Sequence, residues 1–195
     1  MTLKGKKIGF GITASFCTIP EILEPMRGLI DLGADVYPVV SNDVLNFSSR
    51  FHDKDDFLAS LREISGKEVI SNTAEAEPMG PSKPMDIMVI APATGNTIAK
   101  LANGIWDTAV LTAAKATLRN NRPVLLALFS NDSLSINGVN IMKLYNTKNI
   151  YFVPFGQDDP FKKPTSMTAD LSKLTESILC ALEGNQVQPS IISKG

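Results

Sequence analysis

Short apolar runs alternate with amphipathic stretches along this chain, and the alternation predicts an α/β protein with a mainly parallel sheet. KKIGFGIT (6–13) reads as the first strand. Ile19, Ile22, Leu23, Met26, Leu29 and Ile30 then keep helical spacing, entered through a Thr18/Glu21 capping box with Pro20 in the first turn. Pro25 should bend that helix and Gly33 end it. ADVYPVVS (34–41) is a second strand, which Pro38 assigns to an edge or an irregular position. A polar loop over 42–52 leads to a helix over 53–64, and a short strand is expected at 68–70. PMGPSKP (78–84) excludes regular structure. DIMVIAP (86–92) is the clearest buried strand, uninterrupted from Ile87 to Ile90 as a strand covered on both faces should be.

Helices are expected over 96–104 and 108–119, the second rich in alanine and suited to close packing. RPVLLALF (122–129) is the next strand, followed by a loop over 130–138, a helix over 139–147 and a strand over 149–155. A long polar loop fills 156–166, and a helix over 169–183 closes a single domain spanning 1–195. Residues 185–195 read as a frayed tail. The order of elements is that of a doubly wound sheet.

Composition narrows the class. The 195 residues are 44% hydrophobic and carry 19 Lys+Arg against 20 Asp+Glu, a net charge of −1. Disorder needs fewer apolar residues, and a general nucleic-acid or anionic-membrane binder needs a basic excess. Two distant cysteines, Cys17 and Cys180, and one histidine, His52, offer no metal-ligand spacing, so no metal is expected. Free thiols and the want of a leader or a spanning segment place the chain in the cytoplasm. Cys17 is expected to be a buried structural thiol, His52 a solvated loop residue, and Trp106 a residue that packs a subunit contact rather than stacking on a ring.

Ligands of parallel sheets sit outside the carboxyl ends of the strands, so the residues just after each run matter most. Gly9, Gly11 and Ala14 form a loose G-x-G-x-x-A fingerprint, which either permits close packing or lets Thr13 and Ser15 hold a phosphate at a helix start. The second strand ends at Ser41 and Asn42, with Asp43 beyond. The third ends in Ala93-Thr94-Gly95-Asn96, where Asn96 is suited to cap the next helix. Asp107 is a second candidate cap, and Ser130-Asn131-Asp132 follows the fourth strand. Together these strand ends make a mononucleotide-sized crevice.

KKIGFGITAS and the segment DIMVIAPATGNTIAKLANGIWDT resemble the flavoproteins that include phosphopantothenoylcysteine decarboxylase, peptidyl-cysteine decarboxylases and flavin prenyltransferases. Residues 92–107 follow that family's pattern at nearly every position. The resemblance implies a Rossmann-like three-layer fold, a homo-oligomer that is a trimer or a multiple of one, and flavin mononucleotide as cofactor. By position, flavin contacts fall at Thr13, Ala14, Ser15, Ser41, Ala93, Thr94, Gly95, Asn96, Asp107 and Thr108. Ala14 stands where the family usually has glycine and Gly95 where it has alanine. The decarboxylases' histidine before the 86–92 strand has no counterpart in EAEPMGPSKP, and the prenyltransferases' arginine has none at Phe129-Ser130.

TKNIYFVPFGQDDPFKKP (147–164) and the Arg50-Phe51 pair carry the likeness to one subgroup, the B subunits of a two-subunit oxidoreductase of spore-forming bacteria. That likeness implies a mother-cell enzyme oxidising a dihydro- or hydroxytetrahydro-pyridine-2,6-dicarboxylate to the aromatic ring. Its partner would be an A subunit carrying NAD(P). Lys162 and Lys163 are then candidates to hold the dicarboxylate. Two alternatives stay open: a non-catalytic scaffold with a vacant flavin crevice, and a flavin-dependent decarboxylase.

Overall fold

The computed structural model describes residues 2–82 and 84–193. On one side of the sheet β1 (Lys7–Ile12) lies between β2 (Asp35–Val40) and β3 (Ile87–Ala93), all three parallel. β4 (Val124–Ser130) runs parallel beside β3, and β5 (Ile150–Phe152) runs parallel to the first half of β4. The sheet has seven strands and forks at β4. The last two residues of β4, Phe129 and Ser130, pair with Thr168 and Met167 of an antiparallel hairpin, β6 (Phe155–Asp159) and β7 (Lys163–Ala169). The expected polar loop over 156–166 is therefore mostly strand, with a turn at its centre.

β2 is an edge, as Pro38 requires. Pro38 has no N–H to give, and its carbonyl accepts from Ile70 N–H at 2.9 Å while Val40 N–H donates to the Ile70 carbonyl at 2.9 Å. The strand expected at 68–70 is reduced to that single bridge between Val39 and Ile70. β3 is buried throughout, which reflects cover on both faces of the sheet.

α1 (Leu23–Asp31) follows a 3-10 turn, Ile19–Ile22. The Thr18 capping box does not form, because the Thr18 hydroxyl meets Ser15 Oγ at 3.1 Å instead. Pro25 lies in the first turn of α1, where its missing N–H costs no helical bond. The expected loop over 42–52 begins with a short helix, α2 (Asn42–Asn46). α3 (Lys54–Ser65) is capped by Asp53, which accepts from Asp55 and Asp56 N–H groups. α4 (Thr73–Ala76) runs into a 3-10 turn, Glu77–Met79, so Pro78 sits in regular structure after all; Lys83 of that stretch lies outside the described residues.

α5 (Gly95–Ala102) and α6 (Ala109–Arg119) follow β3 in quick succession. α7 (Gly138–Tyr145) precedes β5, and α8 (Leu174–Leu182) closes the chain. α4 and α6 pack together, and α1 packs with α3 and α8. Gly9 and Gly11 lie inside β1, where an added Cβ would come within 2.6 and 2.7 Å of Met88, so the loose fingerprint serves packing of strand on strand. The tail differs from the frayed segment expected. Gln186 Oε1 accepts the Phe152 N–H at 2.8 Å and Nε2 donates to the Phe152 carbonyl at 2.7 Å, covering the free edge of β5. Ile192 N–H bonds the Phe155 carbonyl at 3.0 Å; residues 194–195 lie outside the described residues.

Candidate functional site

The head of the sheet carries a groove in three connected parts. The first, about 360 Å³, is lined by Thr13, Ala14, Ser41, Thr94, Asn96 and Thr108, together with Asn42, Asp43, Thr97 and Lys100. The second, about 490 Å³, shares Ala14, Thr94 and Asn96 with it and adds Ser15 and Gly95, then Arg50, Phe51 and Ser130–Asp132. The third, about 330 Å³, joins the second at Cys17 and Phe129 and reaches Asp158 and Lys163 on the hairpin. Eight of the ten expected flavin contacts thus converge on two adjoining cavities. Ala93 is buried behind them at the end of β3, and Asp107 meets the groove only through Lys100, which it binds at 2.7 Å.

Local chemistry explains the convergence. Thr13 is 3% exposed, and its Oγ1 accepts the Thr94 N–H at 3.1 Å while bonding the Pro92 carbonyl at 2.8 Å. β1 and β3 are thereby stitched together at their ends. Between Ile90 and Ala93 the β3–β4 pairing steps out of register, which opens the sheet where Thr94 emerges.

Thr94, not Asn96, is the N-cap residue of α5. Its hydroxyl faces Thr13 Oγ1 at 3.2 Å and Thr97 Oγ1 at 3.1 Å and caps no backbone N–H. The first N–H groups of α5 therefore stay free beside the groove, at the positive end of the helix. The Asn96 side chain is exposed and makes no hydrogen bond among the described residues. At α6 the cap is Thr108, which accepts from Leu111 N–H at 3.2 Å, rather than Asp107. Ser41 Oγ is buried at the groove without a hydrogen-bond partner among the described residues.

On the far wall Asp132 accepts from the Ser130 hydroxyl through one oxygen and from the Asn137 amide at 3.0 Å through the other. Gly95 lies against this trio. A Cβ there would sit 2.6 Å from Asp132 Oδ1 and 2.7 Å from Asn137 Nδ2, which accounts for glycine where the family pattern has alanine.

The lysines divide. Lys163 Nζ is paired with Asp158 at 2.7 Å, a hydrogen bond that holds it above the usual lysine range, and Lys162 lines none of the three cavities. Cys17 is exposed between two of the cavities rather than buried. His52 is half-buried rather than solvated throughout: its ring lies 5.9 Å from Phe16 and 5.6 Å from Phe57, with Nδ1 3.0 Å from Ser49 Oγ and Nε2 buried without a partner among the described residues. Burial pulls its imidazole below the ordinary histidine value, against an opposing pull from Asp53. Trp106 is partly buried and packs against the core of its own chain. Absent from the expected contacts were Asn42, Asp43, Thr97, Lys100, Arg50 and Phe51. Thr97 and Lys100 were legible as the next turn of the helix carrying Asn96; Arg50 and Phe51 reach the groove from a loop that periodicity does not register.

A parallel sheet with such a groove at its carboxyl end defines a nucleotide-type flavoprotein fold, and the chain belongs to the flavoprotein family, whose sequence profile matches residues 1–178. It is similar to the B subunit of dipicolinate synthase from Bacillus subtilis (strain 168), with 49% identity over 191 residues, 98% of this chain and 96% of that protein. The crystal structure of the corresponding B subunit from Bacillus halodurans superposes with a TM-score of 0.93 at 46% identity, covering 100% of both chains. The FMN-dependent cysteine decarboxylase SpaF shares the fold at a TM-score of 0.65 and 17% identity, over 92% of this chain and 99% of that one.

Proposed function

We propose that this chain is the B-type subunit of a dipicolinate synthase and holds flavin mononucleotide in the Thr13–Thr108 crevice. Acting with a nucleotide-binding A subunit that carries NAD(P), it converts dihydrodipicolinate, or its hydroxytetrahydro precursor after loss of water, to dipicolinate. The observation that carries the cofactor assignment is the polar chemistry of the crevice: a buried Ser41 hydroxyl without a partner among the described residues, beside free N–H groups at the start of α5. Such groups suit a phosphate or a polar ring edge. Thr13, Ser15, Ser41, Thr94 and Asn96 would hold the nucleotide, with Ala14, Gly95 and Thr108 beside it; Ala93 and Asp107 act at one remove. Bound flavin would supply a two-electron acceptor. The likeness to dipicolinate synthase B subunits supports the substrate and the A partner.

In this reading residues 1–195 work as one flavoprotein-like domain in the mother-cell cytoplasm of a sporulating bacterium. Among the described residues no helix is long and apolar enough to cross a membrane. Exposed Leu134, Ile136, Val139 and Met142 suit a contact between copies in a trimer or a multiple of one. Purified protein titrated with flavin mononucleotide should bind it and perturb its visible spectrum; unchanged spectra would remove the cofactor. Assay of the A subunit alone separates an active partner from an accessory one, since full activity without this chain would make it a scaffold.

A further inference from the structure

Three cations line the groove among the described residues, and two are already neutralised: Lys100 by Asp107 at 2.7 Å and Lys163 by Asp158 at 2.7 Å. The third, Arg50, has no carboxylate of the described residues within salt-bridge distance. Its guanidinium carbon lies 4.7 Å from the centre of the Phe51 ring, and its N–H groups make no hydrogen bond among the described residues.

The turn that carries Arg50 is pinned. Ser49 N–H donates to the His52 carbonyl at 2.9 Å, Phe51 N–H donates to Ser49 Oγ at 3.2 Å, and His52 is wedged between Phe16 and Phe57. Arg50 is thus presented to the second cavity, about 490 Å³, from a pinned turn, which lowers the entropy cost of using it. The acid of the same cavity, Asp132, has both oxygens occupied by Ser130 and Asn137. Phe51 and Phe129 add two aromatic surfaces to its walls.

The geometry points to Arg50 as the residue that binds a carboxylate of a flat ring acid, through a bidentate fork, in the cavity next to the flavin crevice. The identity of that acid, a pyridine-2,6-dicarboxylate, rests on the function proposed above. The role falls to Arg50 and not to the Lys162–Lys163 pair. An anionic flavin phosphate shares the chemistry, and Ser15 and Gly95 of the nucleotide set line the same cavity as Arg50; the ring acid is the assigned ligand because Phe16, Phe51 and Phe129 wall that cavity with flat apolar surface.

The test is calorimetric titration of the full-length wild type, Arg50→Ala and Arg50→Lys with pyridine-2,6-dicarboxylate and, separately, with flavin mononucleotide. Arg50→Ala should weaken dicarboxylate binding about ten- to hundredfold, the loss typical of one charge-assisted contact. Arg50→Lys, which keeps the charge without the fork, should fall between. Flavin affinity should stay within about twofold in both variants. Equal dicarboxylate affinity in wild type and Arg50→Ala overturns the inference, as does a wild type that binds none. A parallel loss of flavin affinity overturns it in favour of the phosphate. Failure of the cofactor reading is a separate result, a wild type that binds the dicarboxylate through Arg50 but no flavin.

Discussion

Thr13 and Thr94, 81 residues apart, are joined side chain to backbone: the buried Thr13 hydroxyl accepts the Thr94 N–H at 3.1 Å. The bond ties the end of β1 to the start of α5 and leaves the Thr94 hydroxyl to Thr97. Thr13→Val keeps the shape but strands that N–H; the Pro92 carbonyl loses the hydroxyl and keeps the residue 13 N–H at 3.3 Å. It should cost about 1–3 kcal/mol in urea denaturation and weaken flavin binding, because the head of the sheet is no longer drawn together. An unchanged midpoint would show that the threonine pair is incidental.

Gly95→Ala should be more damaging than a helix-favouring substitution has any right to be. The new methyl meets Ser130, Asp132 and Asn137, and overpacking of that kind costs about 1–3 kcal/mol. Adding Ser130→Ala removes the nearest obstacle and should restore part of the loss. A double-mutant cycle of thermal midpoints measures the coupling, and strict additivity would place the strain elsewhere.

Asn96 gives a cleaner probe of the crevice. Since Thr94 holds the N-cap position and the Asn96 side chain is exposed without a hydrogen bond among the described residues, Asn96→Ala should leave stability within about 0.5 kcal/mol. Flavin affinity should fall about three- to tenfold, the worth of one exposed hydrogen bond. Equal affinities by fluorescence quenching would remove Asn96 from the site.

His52 predicts a pH dependence. Its folded value lies below 6.5, so as pH falls past 6.5 the unfolded chain takes up a proton that the folded ring, between two phenyl groups, resists. Stability is therefore full above 6.5 and declines below it, levelling once the folded value is passed. His52→Phe should flatten that slope in thermal melts taken across the range, and a slope that survives the substitution belongs to another group.

The buried strands were legible because their residues admit one reading. Ile87 to Ile90 leave no polar face, and Pro38 excludes a central place for β2. The hairpin was not legible. Gln157, Asp158, Asp159, Lys163 and Thr165 face water on much of their surface, so burial imposes no alternation, while Pro160 and Pro164 read as loop. Asn96 resembled a cap because it is a good one; the cap is Thr94, two residues sooner, and the helix starts at Gly95, which lies against Ser130 of β4. His52 looked solvated because its neighbours in sequence are polar, whereas Phe16 and Phe57 reach it from other elements. Eight of ten expected contacts converge because strand ends of a parallel sheet converge whatever their side chains. The turn with Arg50 obeys no periodicity; the Arg50-Phe51 pair stood out in the sequence only as a subgroup likeness, and its place at the groove shows in three dimensions.

The fork of β4 separates two demands that a single strand ordinarily has to reconcile. Its first three paired residues, Val124 to Leu126, lie between β3 and β5, and only Phe129 and Ser130 answer to the hairpin. The hairpin is in effect an outrigger, joined to the parallel sheet through two residues of β4 and steadied by the 131–134 loop and the tail at Ser190 and Ile192. Its length and tip can drift among relatives, or be exchanged by an engineer, with the load carried by the parallel strands left undisturbed. The reach of the third cavity, which adjoins the Arg50 cavity at Cys17 and Phe129, is then free to change on its own without reopening the question of how the nucleotide crevice is built.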